Sequence, residues 1–249
     1  MILMPMASEE FDPTEASILY KHLHEAGYEV TFATSDGRPA SPDDRMMTGR
    51  SLGIWSGMLK ARADAVEACE LMMKDPAFQS PIQWNEMKPS RFRALALHGG
   101  HGPGMRPYLE STEIMNVIRT FIEEKKPLGA ICHGVVLLAR TQKADGTSVI
   151  HGRKCTTLLK SQELAAHNMT RVWLKDYYRT YPDTTCQDEV TAALKDPGDF
   201  QIGPRPLFRD SPGKLNRGFA FRDENLITAR WPGDAYNYAR GFLDLLKDH

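Results

Sequence analysis

The sequence predicts an α/β fold, a mostly parallel sheet with helices on both faces, on the strength of two observations. Short apolar runs alternate with amphipathic helical segments along much of the chain, and such alternation builds parallel strands joined by crossover helices. One junction, Ala130-Ile131-Cys132-His133-Gly134, joins an apolar strand directly to an apolar helix, the local pattern of a nucleophile elbow. The 249 residues are enough for a sizeable core. No Gly/Ser-rich linker, charge block or repeat divides them, so a single domain over residues 1–249 is expected, with one insertion.

Ile2 to Met4 is expected as the first strand. Asp12, Pro13 and Glu15 then suit the N-cap, the first helical position and the third position of a capping box, and Gly27 suits the C-cap of that helix. Tyr28 to Thr34 alternates like a strand and runs into the turn Ser35-Asp36-Gly37. A long helix is predicted from about Gly57 to Asp75, with Leu59, Ala63, Val66, Cys69 and Met73 as its apolar stripe. Ala94 to Leu97 reads as a strand leading into the loop His98 to Gly104. Glu113 to Lys125 reads as a helix, Pro127 to Ile131 as a buried strand and Val135 to Ala139 as the start of a buried helix.

Residues 143–217 are polar and proline-rich, with short helical stretches such as Gln187 to Leu194. Trp173, Tyr177, Tyr178 and Tyr181 cluster there, as a lid or subunit contact or as a satellite cluster under a long loop. Phe219 to Phe221 and Leu226 to Thr228 are expected to close the sheet as a hairpin. The segment Asp234 to Leu246 is expected as a terminal helix burying Ala235, Tyr238, Phe242 and Leu245.

A net charge of -1, with no run of lysines or arginines among aromatics, argues against a nucleic-acid partner. No apolar stretch is long enough to span a bilayer and no signal peptide is evident, so a cytoplasmic location is the default expectation. The four cysteines form no Cys-x-x-Cys pair, which argues against structural zinc or a redox dithiol. His22, His24 and Glu25 invite a metal site, but histidines two apart do not share a helix face, so no metal and no cofactor are expected.

A cysteine at the elbow lies near the positive end of a helix, which favours thiolate over thiol. His133, next in the chain, is placed to exchange protons with it or with a substrate. A buried, inert cysteine at a strand end is the plainer alternative.

Taken in chain order, Glu10-Phe11-Asp12-Pro13-Thr14-Glu15, Phe32-Ala33-Thr34-Ser35-Asp36-Gly37, Gly99-Gly100-His101-Gly102, Ala130 to Gly134, and Asn225-Leu226-Ile227-Thr228 with Pro232 and Ala235 resemble the ThiJ/PfpI superfamily. These are relatives of class I glutamine amidotransferases, and the likeness is to the heat-shock chaperone and glyoxalase III branch. The resemblance implies a flavodoxin-like three-layer sandwich with Cys132 as nucleophile. It also implies that Glu15 is a carboxyl group beside the thiol and that the amides of Gly100 and His133 form an oxyanion hole. Gly99 and His101 would then be substrate-side residues, and His98, a departure from the small or apolar residue usual there, would either contact substrate or cap the strand. Counting from Gly152-Arg153-Lys154, the carboxylate that orients His133 falls on Glu163, with a solvent-facing glutamate at a helix start as the alternative.

The implied activity is a cofactor-independent conversion of methylglyoxal or a related 2-oxoaldehyde to a 2-hydroxy acid. An amidase, peptidase or isonitrile hydratase would use the same cysteine, and a stress chaperone or cysteine oxidation sensor is the alternative of another class. The expected partner is a small carbonyl or amide substrate, and a homodimer is expected from the resemblance.

Overall fold

The computed structural model describes all residues, 1–249. Its sheet has seven strands in the order β3-β2-β1-β4-β5-β7-β6. These are β1 Ile2–Pro5, β2 Val30–Thr34, β3 Ile82–Gln83, β4 Ala94–Leu97, β5 Leu128–Ile131, β6 Ala220–Asp223 and β7 Leu226–Ala229. Every pairing is parallel except β6 with β7, the expected closing hairpin. Strands β1, β4, β5 and β7 are buried along their whole length, as parallel strands covered on both faces must be.

Two groups of helices supply that cover. Pro13–Glu25 packs against Ala63–Lys74 and the terminal helix Ala235–Lys247, while Gly134–Arg140 packs against Thr112–Glu123 and Cys186–Ala193. One apolar core runs from Ile2 to Leu246 and includes Ala235, Tyr238, Phe242 and Leu245 of the terminal helix. The chain reverses its direction across the sheet between β1 and β4, so the loops leaving those strands diverge and open a crevice at their carboxyl ends, the usual place for a site in such sheets.

The first helix begins as the sequence predicts at its cap and departs from it at Glu15. Asp12 Oδ1 accepts the amides of Thr14 and Glu15 at 2.8 and 3.0 Å. The Glu15 side chain does not close a capping box, because the Asp12 amide donates instead to the Gly99 carbonyl at 3.0 Å and leaves Glu15 free to turn inward. At the other end Gly27 has φ +78°, and the amides of Gly27 and Tyr28 donate back to His24 and Leu23, a Schellman closure.

The long helix predicted from Gly57 to Asp75 is broken. A 3₁₀ turn Gly53–Trp55 and a short helix Ser56–Leu59 precede an extended Lys60, and the main helix starts only at Ala63. Arg209, from far along the chain, donates to the carbonyls of Met58, Leu59 and Lys60 at 2.8–3.0 Å. It satisfies groups that a continuing helix would have used. The buried face is accordingly Ala65, Ala68, Cys69 and Met72, rotated from the predicted stripe.

Within residues 143–217 the largest element is a helix, Lys160–Leu174, which composition alone did not announce. It ends at Lys175, whose φ is +51°. Tyr177 and Tyr178 then pack with Met46 and Leu52 in a small satellite cluster, while Trp173 is 45% exposed and donates to the Ser51 carbonyl. No helix is long and apolar enough to cross a membrane.

Gly134 shows what the elbow demands of its neighbours. A Cβ there would sit 2.6 Å from the His98 carbonyl oxygen and 2.9 Å from that of Leu97, so only glycine lets the elbow helix meet the end of β4. Gly134→Ala is expected to lower stability by about 1–3 kcal/mol, since main chain must shift to admit the methyl group. Equilibrium urea unfolding checks this, and an unchanged midpoint would show that the two segments have room.

Candidate active site

Strand β5 ends at Ile131 and the next helix begins at Gly134, leaving two residues for the turn. Cys132 makes it with φ +56°, a left-handed conformation that costs a non-glycine residue about 1–3 kcal/mol. Neighbours hold it there. The Cys132 amide donates to the Ala229 carbonyl of β7 at 3.0 Å, and the Thr157 hydroxyl donates to the Cys132 carbonyl at 2.7 Å.

Glu15 reaches the same point from the first helix. Its Oε2 accepts the Gly99 amide at 2.9 Å, Oε1 has no hydrogen-bond partner, and the carboxyl group lies close enough to the Cys132 thiol to bear on its ionisation. Burial, with Asp12 nearby, raises the Glu15 pKa well above the usual carboxylate range, which favours the protonated form. Gly99 lies between these groups, because a Cβ on it would come within 2.6 Å of Glu15 Oε2, 2.8 Å of the His133 amide nitrogen and 2.9 Å of Cys132 Cβ.

His133 Nδ1 stands 3.5 Å from Cys132 Sγ. Its Nε2 stands 3.2 Å from the Thr180 hydroxyl, and that hydroxyl donates its single hydrogen to the His101 carbonyl at 2.8 Å. The Thr180 oxygen can therefore only accept from His133, which puts the imidazole hydrogen on Nε2 and leaves the Nδ1 lone pair toward the thiol. Burial, with His101 and Arg140 adding to it, lowers the His133 pKa to about 3. The ring is neutral at rest.

The thiolate expected from the helix end is not the resting state. Burial and then the neighbouring Glu15 push the Cys132 thiol well above its ordinary value, and a helix of only seven residues is a weak counterweight.

Several assignments suggested by the resemblance change place. Glu163 makes no hydrogen bond to His133: its Oε2 accepts the Cys186 amide at 3.0 Å and Oε1 lies 3.4 Å from Arg179. A buried carboxylate is thus taken up by the positive end of helix Cys186–Ala193, and Thr180 occupies the position expected of it. Nor does Glu163 face solvent as a helix-start residue would, being 4% exposed.

His98 does not line the cavity that holds Cys132. It is 2% exposed, accepts the Ala7 amide at Nε2 and donates from Nδ1 to the Gly99 carbonyl, and its ring stacks on Tyr108. It ties the glycine loop to the end of β1. The Gly99 amide is spent on Glu15, whereas the amides of Gly100 and His133 donate to no protein acceptor. Away from the site, His22 bonds the Ile18 carbonyl and His24 stacks on Tyr20.

Above Cys132 opens a cavity of about 550 Å³ that Glu15, Gly100, His101, Glu163 and Tyr178 help to line. The His101 ring stacks on Tyr178 with centroids 4.4 Å apart, so residues 175–181 supply both a wall of the cavity and the partner of His133. Tyr178 belongs to the aromatic cluster visible in the sequence, whereas Thr180, Arg209 and Arg217 carried no sequence signal, lying in a segment that shows neither motif nor periodicity. Asp12, legible only as a cap, also lines the cavity floor. Burial raises its pKa to about 6.

Among proteins of known kind, the chain is 32% identical over 80 residues to protein DJ-1 homolog D of Arabidopsis thaliana, a match covering 32% of this chain and 18% of that one. It is 24% identical over 166 residues to a deglycase of Thermococcus kodakarensis, covering 67% and 69% of the two chains. The crystal structure of glyoxalase III from Candida albicans superposes with a TM-score of 0.68 at 15% identity, over 98% of this chain and 96% of that one, a likeness of fold. A family model described as ThiJ/PfpI family-like matches residues 6–189, and the chain belongs to that family.

Proposed function

We propose that the protein is a cysteine-dependent, cofactor-independent enzyme that converts methylglyoxal or a related 2-oxoaldehyde to the 2-hydroxy acid. The reading rests on the pairing of Cys132 Sγ with the unprotonated Nδ1 of His133 at 3.5 Å on the floor of an open cavity. The glyoxalase and deglycase named among its relatives agree with it.

In the proposed cycle Cys132 Sγ bonds to the aldehyde carbon while its proton passes to His133 Nδ1. The carbonyl oxygen takes up the displaced electron pair and is met by the free amides of Gly100 and His133, where a donor is worth roughly 3 kcal/mol, and protonation there gives the hemithioacetal. His133 then carries a proton from the aldehyde carbon to the neighbouring ketone carbon through an enediol, which leaves a thioester of the 2-hydroxy acid. Water cleaves the carbon–sulfur bond and restores the thiol. The unpartnered Oε1 of Glu15, its protonated form favoured by burial, would hold the enediol oxygen.

Purified protein treated with chelator and given methylglyoxal without glutathione is expected to form lactate, and Cys132→Ala is expected to form none. Lactate from the variant would remove the sulfur from the chemistry. Hydrolysis of amide substrates with no lactate would assign the same nucleophile to an amidase.

Thr180→Val keeps the shape of the side chain and removes the acceptor for His133 Nε2–H. A loss of roughly 10- to 100-fold in kcat is expected, with Thr180→Ser restoring most of it and the imidazole nitrogen shifts in NMR reporting the lost tautomer preference. Full activity in the valine variant would show that packing alone orients the ring.

Asp12 gives a pH dependence with a definite sign. Above pH 6 it is ionised, and its negative charge disfavours the Cys132 thiolate. Asparagine caps a helix as well as aspartate, so Asp12→Asn should fold normally and lose Cys132 to iodoacetamide at lower pH than the wild type. Mass mapping of the alkylated peptide reads this, and an unmoved profile would take Asp12 out of the electrostatics of the thiol.

A further inference from the structure

The cavity is much larger than the smallest 2-oxoaldehydes require. At about 550 Å³ it falls in the range of roughly 300–1,000 Å³ of sites that enclose drug-sized ligands, and a three-carbon aldehyde bound at Cys132 would leave most of it to water. Its walls are apolar, with Met46, Leu158 and Met169 inside and Met58, Leu207 and Phe208 at the rim. Those three rim residues are 56%, 73% and 62% exposed, apolar surface that only a ligand or partner at the mouth would take out of water.

The charged groups lining the cavity are nearly all engaged. Arg62 forks onto Asp64, Arg209 is used up on three backbone carbonyls, and Glu163 holds Arg179 and the Cys186 amide. Asp12 caps the first helix and Glu15 binds Gly99. Arg217 is the exception. It is exposed, its side chain makes no ion pair or hydrogen bond, and its guanidinium lies 5.0 Å from the centre of the Phe208 ring, a single uncompensated cation over an apolar rim.

We propose that the physiological 2-oxoaldehyde has a bulky apolar body ending in a carboxylate, the body lying against the methionine and Phe208 walls and the carboxylate on Arg217. This rests on the 2-oxoaldehyde reading of Cys132 and adds to it the class of side group. An arginine suits the distal anion because its planar fork pairs with a carboxylate through two parallel hydrogen bonds.

The test compares initial rates on methylglyoxal, phenylglyoxal and 4-carboxyphenylglyoxal in the wild type and in Arg217→Ala. Both aryl aldehydes are expected to exceed methylglyoxal in kcat/KM by roughly tenfold or more, from the apolar area they bury. The carboxylated one should exceed phenylglyoxal by about fivefold, an advantage that shrinks with salt and vanishes in Arg217→Ala. Methylglyoxal as the best substrate, or a carboxylate advantage that survives the substitution, would overturn the proposal. Titration of the Cys132→Ser protein with mandelate and 4-carboxymandelate reads the same preference without turnover. If no 2-oxoaldehyde is consumed, the catalytic reading falls, while an Arg217-dependent preference for 4-carboxymandelate still supports the cavity assignment and equal binding of the two acids overturns it.

Discussion

The left-handed backbone of Cys132 is the constraint on which the site depends. With φ at +56°, the residue makes the turn between strand and helix at the cavity that Glu15 and Gly100 also line. Such a conformation persists only where the surroundings over-determine it. Here the Ala229 carbonyl, the Thr157 hydroxyl and the close approach of Gly134 to the end of β4 do so. Each comes from a different part of the chain. The site is therefore a property of the assembled sheet.

The glycine loop is fixed by the same logic. His98 bridges the Ala7 amide and the Gly99 carbonyl, and Glu10 accepts the Gly104 amide at 2.7 Å. Gly99 hands its amide to Glu15 and its carbonyl to Asp12. The start of the first helix thus does two things: Asp12 caps it, and Glu15, one turn later, holds the Gly99 amide beside the Cys132 turn. A sequence pattern made for a capping box serves the site because the Gly99 carbonyl takes the amide that the box would have satisfied.

What was legible in the sequence followed the range of the forces involved. The strands Ala94–Leu97 and Leu128–Ile131, the cap at Asp12, the stop at Gly27 and the closing hairpin are written in local periodicity and turn chemistry, and they stand close to where those signals put them. The break at Lys60 was hidden because its cause, Arg209, lies about 150 residues away. The partner of His133 was hidden for the same reason. Thr180 sits beyond the helix Lys160–Leu174 in a polar stretch with no period, and nothing local distinguishes its hydroxyl from others in that stretch. Glu163 had the right residue type and spacing, but the amide of Cys186 claimed it.

Replacing a carboxylate by a threonine behind the histidine changes the chemistry the site favours. A carboxylate would stabilise the imidazolium in place, whereas a neutral hydroxyl fixes the tautomer and contributes no charge. His133, already disfavoured as a cation by burial and by Arg140, then holds a proton only briefly. Burial favours the uncharged forms of Glu15, Cys132 and His133 alike, because an unpaired ion in so buried a place would carry a desolvation cost. On the proposed reading, charge would arise only when a carbonyl enters and its oxygen meets the free amides of Gly100 and His133. Such a site suits successive proton movements along one substrate better than the sustained ionisation of a stored thiolate, and this asymmetry favours isomerising chemistry at Cys132 over a purely oxidative role.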